Sequence, residues 1–160
     1  MLTQLRANEL LEYRPDTGNI HWRVQRGRVN AGDIAGKPKE NGYIQIRVDG
    51  RMHYAHRLAF LLMTGEFPSK DVDHINRDRA DNRWLNLREA TRSQNLANTK
   101  QRDRSLPKGV SFEARSKVKP YVARIFARGR NYHLGSFASI SEAEQAYLAK
   151  SRELFGEFAA

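Results

Sequence analysis

The spacing of apolar and polar residues before position 70 predicts two helices and several short strands. Residues 3–13 combine leucines with good helix formers and stop before a turn sequence, Pro15-Asp-Thr-Gly18, so they predict a short helix. Residues 19–24 alternate apolar and polar side chains, as a strand does. Residues 42–56 predict a hairpin, because two alternating segments flank Asp49-Gly50, a strong type I′ turn signal.

A second helix and a strand-loop-strand unit follow the hairpin. The apolar run 58–63 predicts a buried helix that ends near Thr64, since Gly65 and Pro68 come directly after it. Residues 70–90 predict a short strand, a polar loop and a second short strand. Thr91 and Gln94 match a capping box, which predicts a helix from Arg92 to about Arg102.

The last third of the chain predicts a small sheet closed by one helix. Residues 103–108 favour a linker, and the segments 109–114, 121–127 and 132–137 favour three strands. A capping box at Ser141 and Glu144 predicts a final helix that ends at Gly156. The pattern therefore predicts an α+β protein with two domains, residues 1–105 and 106–160.

Composition and charge narrow the class of protein. Twenty-eight Lys+Arg against 18 Asp+Glu give a net charge of +10 over 160 residues, which indicates a polyanionic partner. With a mean hydropathy of −0.74 and no long apolar run, we expect no membrane span. The chain has no cysteine, which excludes disulfides, thiolate zinc sites and thiol nucleophiles. Without a signal-peptide pattern, we expect a cytoplasmic protein.

The positive charge is spread over the chain but is densest in one stretch. Residues 1–55, 56–105 and 106–160 carry +3, +3 and +4. Within the last of these, residues 106–137 hold seven Lys+Arg and a single acid, Glu113. Such a stretch can be a solvated sheet face, but in a chain of this net charge it favours phosphate binding.

Four polar residues form the motif that folding alone does not explain. Asp73 and His74 are adjacent, Asn86 follows twelve residues after the histidine, and Asn95 follows nine residues later. Residues 72–95 resemble the HNH endonuclease signature, in the form found in phage and intron-type homing endonucleases. The resemblance implies a ββα-metal nuclease core, preceded by a β-hairpin and helix region. For a phage-encoded protein, it would place the chain in the host cell cytoplasm.

The resemblance also implies a role for each residue of the motif. Phosphodiester hydrolysis needs an activated water and stabilisation of the charge on the phosphate and the leaving 3′ oxygen. By resemblance, His74 is the general base, Asp73 and Asn95 are ligands of one Mg²⁺ (or Mn²⁺), and Asn86 fixes the loop that carries His74. His56 is expected to be structural, and Arg57 is a candidate phosphate contact.

Residues 107–158 resemble an AP2-type DNA-binding domain, in which three antiparallel strands pack on one helix. Leu134-Gly-Ser-Phe137, followed by Glu142-Ala143, carries most of this likeness. The resemblance implies that the sheet contacts double-stranded DNA through Arg124 and Arg128 on the second strand, Arg115 and Lys117 in the first turn, and Arg130 before the third strand. Ser111 and Glu113 stand where plant members have arginines, so base specificity does not carry over.

These features together predict a metal-dependent DNA endonuclease or nickase that acts as a monomer or weak dimer. One HNH site cuts one strand, so a monomer is expected to nick. The alternative is a non-catalytic, sequence-specific DNA-binding regulator built on a degenerate HNH module. An RNA-binding protein is disfavoured, because residues 106–137 lack the aromatic-rich strands of single-strand stacking surfaces.

Overall fold

The structure, a computed structural model, describes residues 1–99 and 105–159 as a mixed arrangement of helices and strands. The four helices of these ranges are α1 (Gln4–Leu10), α2 (Ala55–Thr64), α3 (Arg92–Ala97) and α4 (Ile140–Phe155). The strands are β1 (Leu11–Tyr13), β2 (Ile20–Trp22), β3 (Lys37–Pro38), β4 (Ile44–Val48), β5 (Arg51–Tyr54), β6 (Asp71–His74), β7 (Leu87–Ala90), β8 (Val110–Phe112), β9 (Tyr121–Ala127) and β10 (Arg130–Phe137). None of these helices is long and apolar enough to cross a membrane.

The chain divides into two compact units, Met1–Ala90 and Thr91–Ala160. In this division α3 belongs with the C-terminal sheet. The predicted boundary after residue 105 stays a prediction, because residues 100–104 lie outside the described ranges.

The first unit begins with a helix that is shorter than the sequence predicts. Its N-cap Thr3 accepts from the backbone N–H of Arg6, and the helix stops at Leu10 rather than at residue 13. Leu11–Tyr13 instead form β1, which pairs antiparallel with β2 in the register Leu11 to Trp22. The strand is favoured over a longer helix because it buries Leu11 completely in the main core of this unit.

The hairpin and the second helix confirm two predictions that rest on local signals. Asp49 (φ 45°) and Gly50 (φ 80°) both adopt positive φ between β4 and β5, as a type I′ turn requires. Helix α2 begins at Ala55 and ends at Thr64, and the left-handed backbone of its C-cap Gly65 lets the Gly65 N–H bond the carbonyl of Leu61 at 3.0 Å. The apolar side chains of α2 belong to two clusters of buried residues.

The predicted strand, loop, strand and helix are all present between residues 71 and 97. Strands β6 and β7 form an antiparallel pair, and Thr91 and Gln94 cap α3 reciprocally in a capping box. The predicted helix end near residue 102 is wrong, because α3 ends at Ala97. The Lys108 ammonium donates to the carbonyls of Leu96 and Ala97, the last two residues of α3, and to that of Thr99, at 2.6–3.1 Å.

The second unit contains a three-stranded antiparallel sheet in the order β10-β9-β8, with α4 packed on one face. This agrees with the predicted sheet and helix, while the likeness to an AP2 domain stays a prediction. The predicted cap at Ser141 is wrong: Ser139 caps α4, and Glu142 completes the capping box. Ala143 and Tyr147 of α4 are buried, and Ala143 packs with Val110 and Ala123 of the sheet.

Candidate active site

Asp73 and His74 lie side by side on β6 and are both 4% exposed. In the antiparallel register, Asp73 faces Arg88 and His74 faces Leu87. Cross-strand partners have neighbouring side chains, and Arg88 Nε donates to Asp73 Oδ2 at 2.9 Å. The Asp73 carboxylate is therefore buried beside a guanidinium.

The loop that joins β6 to β7 is held by its own polar side chains. Asn86 closes it from the far end: its Oδ1 accepts from the N–H of Asn76 at 2.9 Å, and its Nδ2 donates to the carbonyl of Asp81 at 2.7 Å. Asp78 and Asp81 accept backbone N–H groups two residues on, which is the turn chemistry expected of them. Hydrogen-bonded turns at Asp78 and Asp81 thus order the loop that follows His74.

The ring of His74 is hydrogen-bonded to a residue that the sequence did not single out. His74 Nε2 lies 3.2 Å from Oδ1 of Asn82, and both side chains are buried. The carbonyl of Asn82 in turn accepts from the phenol of Tyr13 at 2.7 Å. No local signal could have shown this, because Tyr13 and Asn82 are 69 residues apart.

Two other rings pack against His74. The ring of His56, at the start of α2, meets it edge to face, with centroids 5.2 Å apart and planes at 86°. Tyr43 touches both imidazoles, at 5.2 Å from His56 and 5.8 Å from His74. The sequence pattern of residues 43–56 predicted only the alternation of a strand. It therefore did not predict that the rings of Tyr43 and His56 pack against His74.

Burial keeps both imidazoles neutral. Burial, together with the smaller effects of the neighbouring His74 and Arg57, lowers the pKa of His56 to about 3. Burial also lowers the pKa of His74, although the bond to Asn82 and the charges of Asp73, Asp81 and Asp78 act in the opposite direction. His74 is therefore neutral at pH 7, which is the form that can accept a proton.

The remaining predicted site residues of the motif lie on two helices. Asn95 lies in the first turn of α3, in the second unit, and is half-buried. Arg57 lies on α2, where its guanidinium donates to the carbonyls of Pro68 at 2.8 Å and Lys70 at 3.2 Å. The structure thus shows Arg57 bracing the segment that enters β6.

The predicted DNA contacts of the second unit are all exposed. Arg115 and Lys117 lie in the turn between β8 and β9, and Arg124 lies on β9. The prediction that Arg128 lies on the second strand is wrong, because Arg128 occupies the β9–β10 turn with φ 50°. Arg130, predicted before the third strand, is the first residue of β10.

Arg124 is engaged within its own sheet. Its Nη2 donates to Glu113 Oε1 at 2.6 Å, and its Nη1 donates to Ser111 Oγ at 3.3 Å. An exposed ion pair of this kind contributes little to stability but fixes the orientation of the guanidinium.

The donor chemistry of the motif fits a hard divalent cation. A carboxylate and a side-chain amide offer the oxygen ligands that Mg²⁺ and Mn²⁺ accept. In the described ranges, no group of three or more His, Asp or Glu side chains could hold a metal ion. A cation held by one carboxylate and one amide oxygen would keep several waters, as Mg²⁺ commonly does.

Gly18, in the turn between β1 and β2, allows a close backbone approach to the same loop. Its φ is +76°, and a Cβ at this position would collide with the backbone of Asn82 and Arg83. We expect Gly18→Ala to lower the free energy of unfolding by about 1–3 kcal/mol for the backbone strain alone, and by more because of the collision. Thermal or urea unfolding measures the loss.

Gly50→Ala is the matched control for this prediction. Gly50 has a similar φ of +80°, but nothing lies within 4 Å of its added Cβ. The control should show the strain without the collision, so equal losses for the two variants would contradict a close packing of Gly18 on the loop.

Comparison with known proteins points to one class. The sequence model of the HNH endonuclease family matches residues 53–97, which contain α2, β6, β7 and α3. The matched segment includes Asp73, His74, Asn86 and Asn95. The match therefore supports an HNH endonuclease domain in this chain.

One relative and one solved structure extend the comparison. The uncharacterized HNH endonuclease L560 of Acanthamoeba polyphaga mimivirus is 33% identical over 112 residues, which are 69% of this chain and 57% of that protein. The chain thus spans little more than half the length of this relative. A structure of the HNH homing endonuclease I-HmuI, which binds and cleaves DNA, overlaps with a TM-score of 0.43 and 22% identity, covering 56% of this chain and 51% of that one.

Proposed function

We propose that this chain is a metal-dependent DNA endonuclease that hydrolyses phosphodiester bonds, one strand at a time. The observation that carries the proposal is the buried, neutral His74 beside Asp73, held in an ordered strand-loop-strand unit inside the segment that matches the HNH family. A buried pair of this kind is costly in a purely structural role, because both polar side chains lose their contact with water.

His74 acts as the general base in this proposal. A neutral imidazole accepts the proton of the attacking water as the new P–O bond forms. Asn86 keeps the loop after His74 closed through its two bonds to Asn76 and Asp81, so the imidazole cannot swing away with the loop. The rings of His56 and Tyr43 restrict the imidazole from the sides.

Asp73 and Asn95 are the proposed metal ligands, and the sequence spacing of the motif supports this pairing. A bound Mg²⁺ or Mn²⁺ would supply positive charge to the phosphate oxygens and to the leaving 3′ oxygen. Arg88 holds the Asp73 carboxylate in place at 2.9 Å and so limits its movement.

Double-stranded DNA is the proposed substrate. The net charge of +10 favours a polyanion, and the exposed arginines and lysine of the second unit provide phosphate contacts on and beside a three-stranded sheet. We propose that this unit binds DNA as an AP2-like domain.

The metal role predicts two linked losses of activity. Purified protein incubated with supercoiled plasmid is expected to produce nicked circles with Mg²⁺ or Mn²⁺ and none in excess EDTA. Asp73→Asn removes the charge but keeps an oxygen for Arg88, so we expect cleavage to fall ~10²-fold or more while the fold is retained. Gel quantification of nicked plasmid measures both.

The same assay separates the proposal from its rival. Asp78→Asn, on the neighbouring loop, is the control and should cleave like the wild type. Undiminished cleavage in excess EDTA would rule out the metal role. Tight DNA binding without nicking under any divalent ion would instead indicate the non-catalytic regulator.

A further inference from the structure

We propose that Asn82 is the positioning residue of His74: its amide oxygen holds the hydrogen on Nε2 and so makes Nδ1 the nitrogen that accepts the proton. This inference rests on the proposed function, since it names the atom at which the general base acts.

The orientation of the Asn82 amide follows from its two hydrogen bonds. Its Nδ2 donates to the carbonyl of Ala80 at 3.0 Å, and a carbonyl can only accept. The other end of the amide, Oδ1, must therefore be the atom that lies 3.2 Å from His74 Nε2. A flipped amide would bring two acceptors together at Ala80.

The tautomer of His74 follows from that orientation. An amide oxygen only accepts, so the contact is a hydrogen bond only when Nε2 carries the hydrogen. A neutral imidazole has one N–H, and its lone pair is then on Nδ1. In the opposite tautomer, the lone pairs of Nε2 and Oδ1 would face each other in a buried site, where an unmade hydrogen bond is costly.

Asn82 is itself held rigidly by an element far from it in sequence. Its backbone carbonyl accepts from the Tyr13 phenol at 2.7 Å, and burial raises the pKa of Tyr13, so the phenol remains a donor. Two residues after Asn82, the N–H of Trp84 donates to the carbonyl of Pro15 at 2.9 Å. Asn82 can therefore fix the imidazole, because strand β1 and its turn hold the loop.

Steady-state kinetics on the full chain with a DNA substrate test the role in catalysis. Asn82→Ala is expected to lower kcat about 10–100-fold, as loss of a partner that orients a reacting imidazole commonly does, with KM nearly unchanged. The matched control is Asp33→Ala, which removes a loop hydrogen bond from the N–H of Asn30 in the same unit, outside the motif segment. It should retain kcat within about threefold, as expected of a loop bond outside the reacting groups.

Nuclear magnetic resonance of ¹⁵N-histidine-labelled protein tests the tautomer without any cleavage assay. Two-bond nitrogen–proton correlations show which ring nitrogen carries the hydrogen, and the His74 signals are those that vanish in His74→Ala. We expect the Nε2–H tautomer in the wild type and a mixture of both tautomers in Asn82→Ala. An Nδ1–H tautomer in the wild type overturns the inference, even where Asn82→Ala fails to fold.

The outcomes separate this inference from the proposed function. Equal losses of kcat in Asn82→Ala and Asp33→Ala, with cleavage by the wild type, refute the positioning role and leave the proposed function intact. A wild type that never cleaves DNA refutes the proposed function, while the resonance spectra still decide which ring nitrogen of His74 carries the hydrogen that Asn82 accepts.

Discussion

His74→Ala is expected to reduce DNA cleavage by ~10²–10⁴-fold, the contribution typical of a positioned general base. Affinity for DNA should remain close to that of the wild type, because the imidazole is only 4% exposed and acts on the attacking water rather than on DNA binding. The loss is therefore expected in kcat rather than in KM. Single-turnover cleavage with enzyme in excess, alongside a binding titration, measures the two quantities separately.

His53→Ala serves as the control for this variant. His53 lies in the same unit on β5, where its ring stacks on Phe67 with centroids 5.7 Å apart, away from the motif. It should cleave like the wild type. Because His74 is buried, the unfolding temperature of each variant must also be compared. Normal cleavage by a folded His74→Ala protein would remove the general-base mechanism.

Neutralising the exposed basic residues of the second unit is expected to have the next largest effect, on the salt dependence of DNA binding. The variant replaces Arg115, Lys117, Arg124, Arg128 and Arg130 with glutamine. Each lost phosphate contact lowers the slope of log affinity against log salt by about 0.9. Arg124 already shares its charge with Glu113 at 2.6 Å, so we expect the loss of the other four contacts, roughly four units of slope.

A charge-matched control distinguishes specific contacts from the general field of the protein. It replaces five exposed basic residues of the first unit with glutamine: Arg14, Arg28, Lys37, Lys39 and Arg51. Both variants fall to the same net charge, so a larger change of slope in the first variant assigns the contacts to the second unit. Equal slopes in the two variants would contradict the AP2-like assignment.

Elements set by local chemistry were predictable from the sequence. Asp49-Gly50, Gly65 and the Thr91–Gln94 box each determine a turn or helix end within a few residues, and the structure contains all three. The motif spacing likewise indicated a strand-loop-strand unit, with Asn86 tied to the loop at both ends.

Two kinds of feature were not predictable: those for which the sequence fits two local structures equally well, and those that depend on contacts between residues far apart in the chain. Residues 11–13 have helix-forming side chains, but pairing with β2 draws them into a strand. Ser139 and Ser141 both have a glutamate three residues on, so the local pattern fits two caps, and the structure has Ser139 as the N-cap. Asn82 and His56 lie beside His74 because of tertiary contacts, which the sequence pattern around each residue does not predict.

The contacts between the β1–β2 turn and the loop after β6 limit how the motif segment could be exchanged between proteins. Segment 53–97 carries the motif, yet Tyr13 and Pro15 hold its loop, and Asn41 accepts from Arg79 of that loop at 2.9 Å. A graft of the motif segment alone into another scaffold would leave these supports behind. An exchange that preserves the site must carry the first unit from β1 onward, so recombination within residues 11–90 is constrained by contacts rather than by the motif.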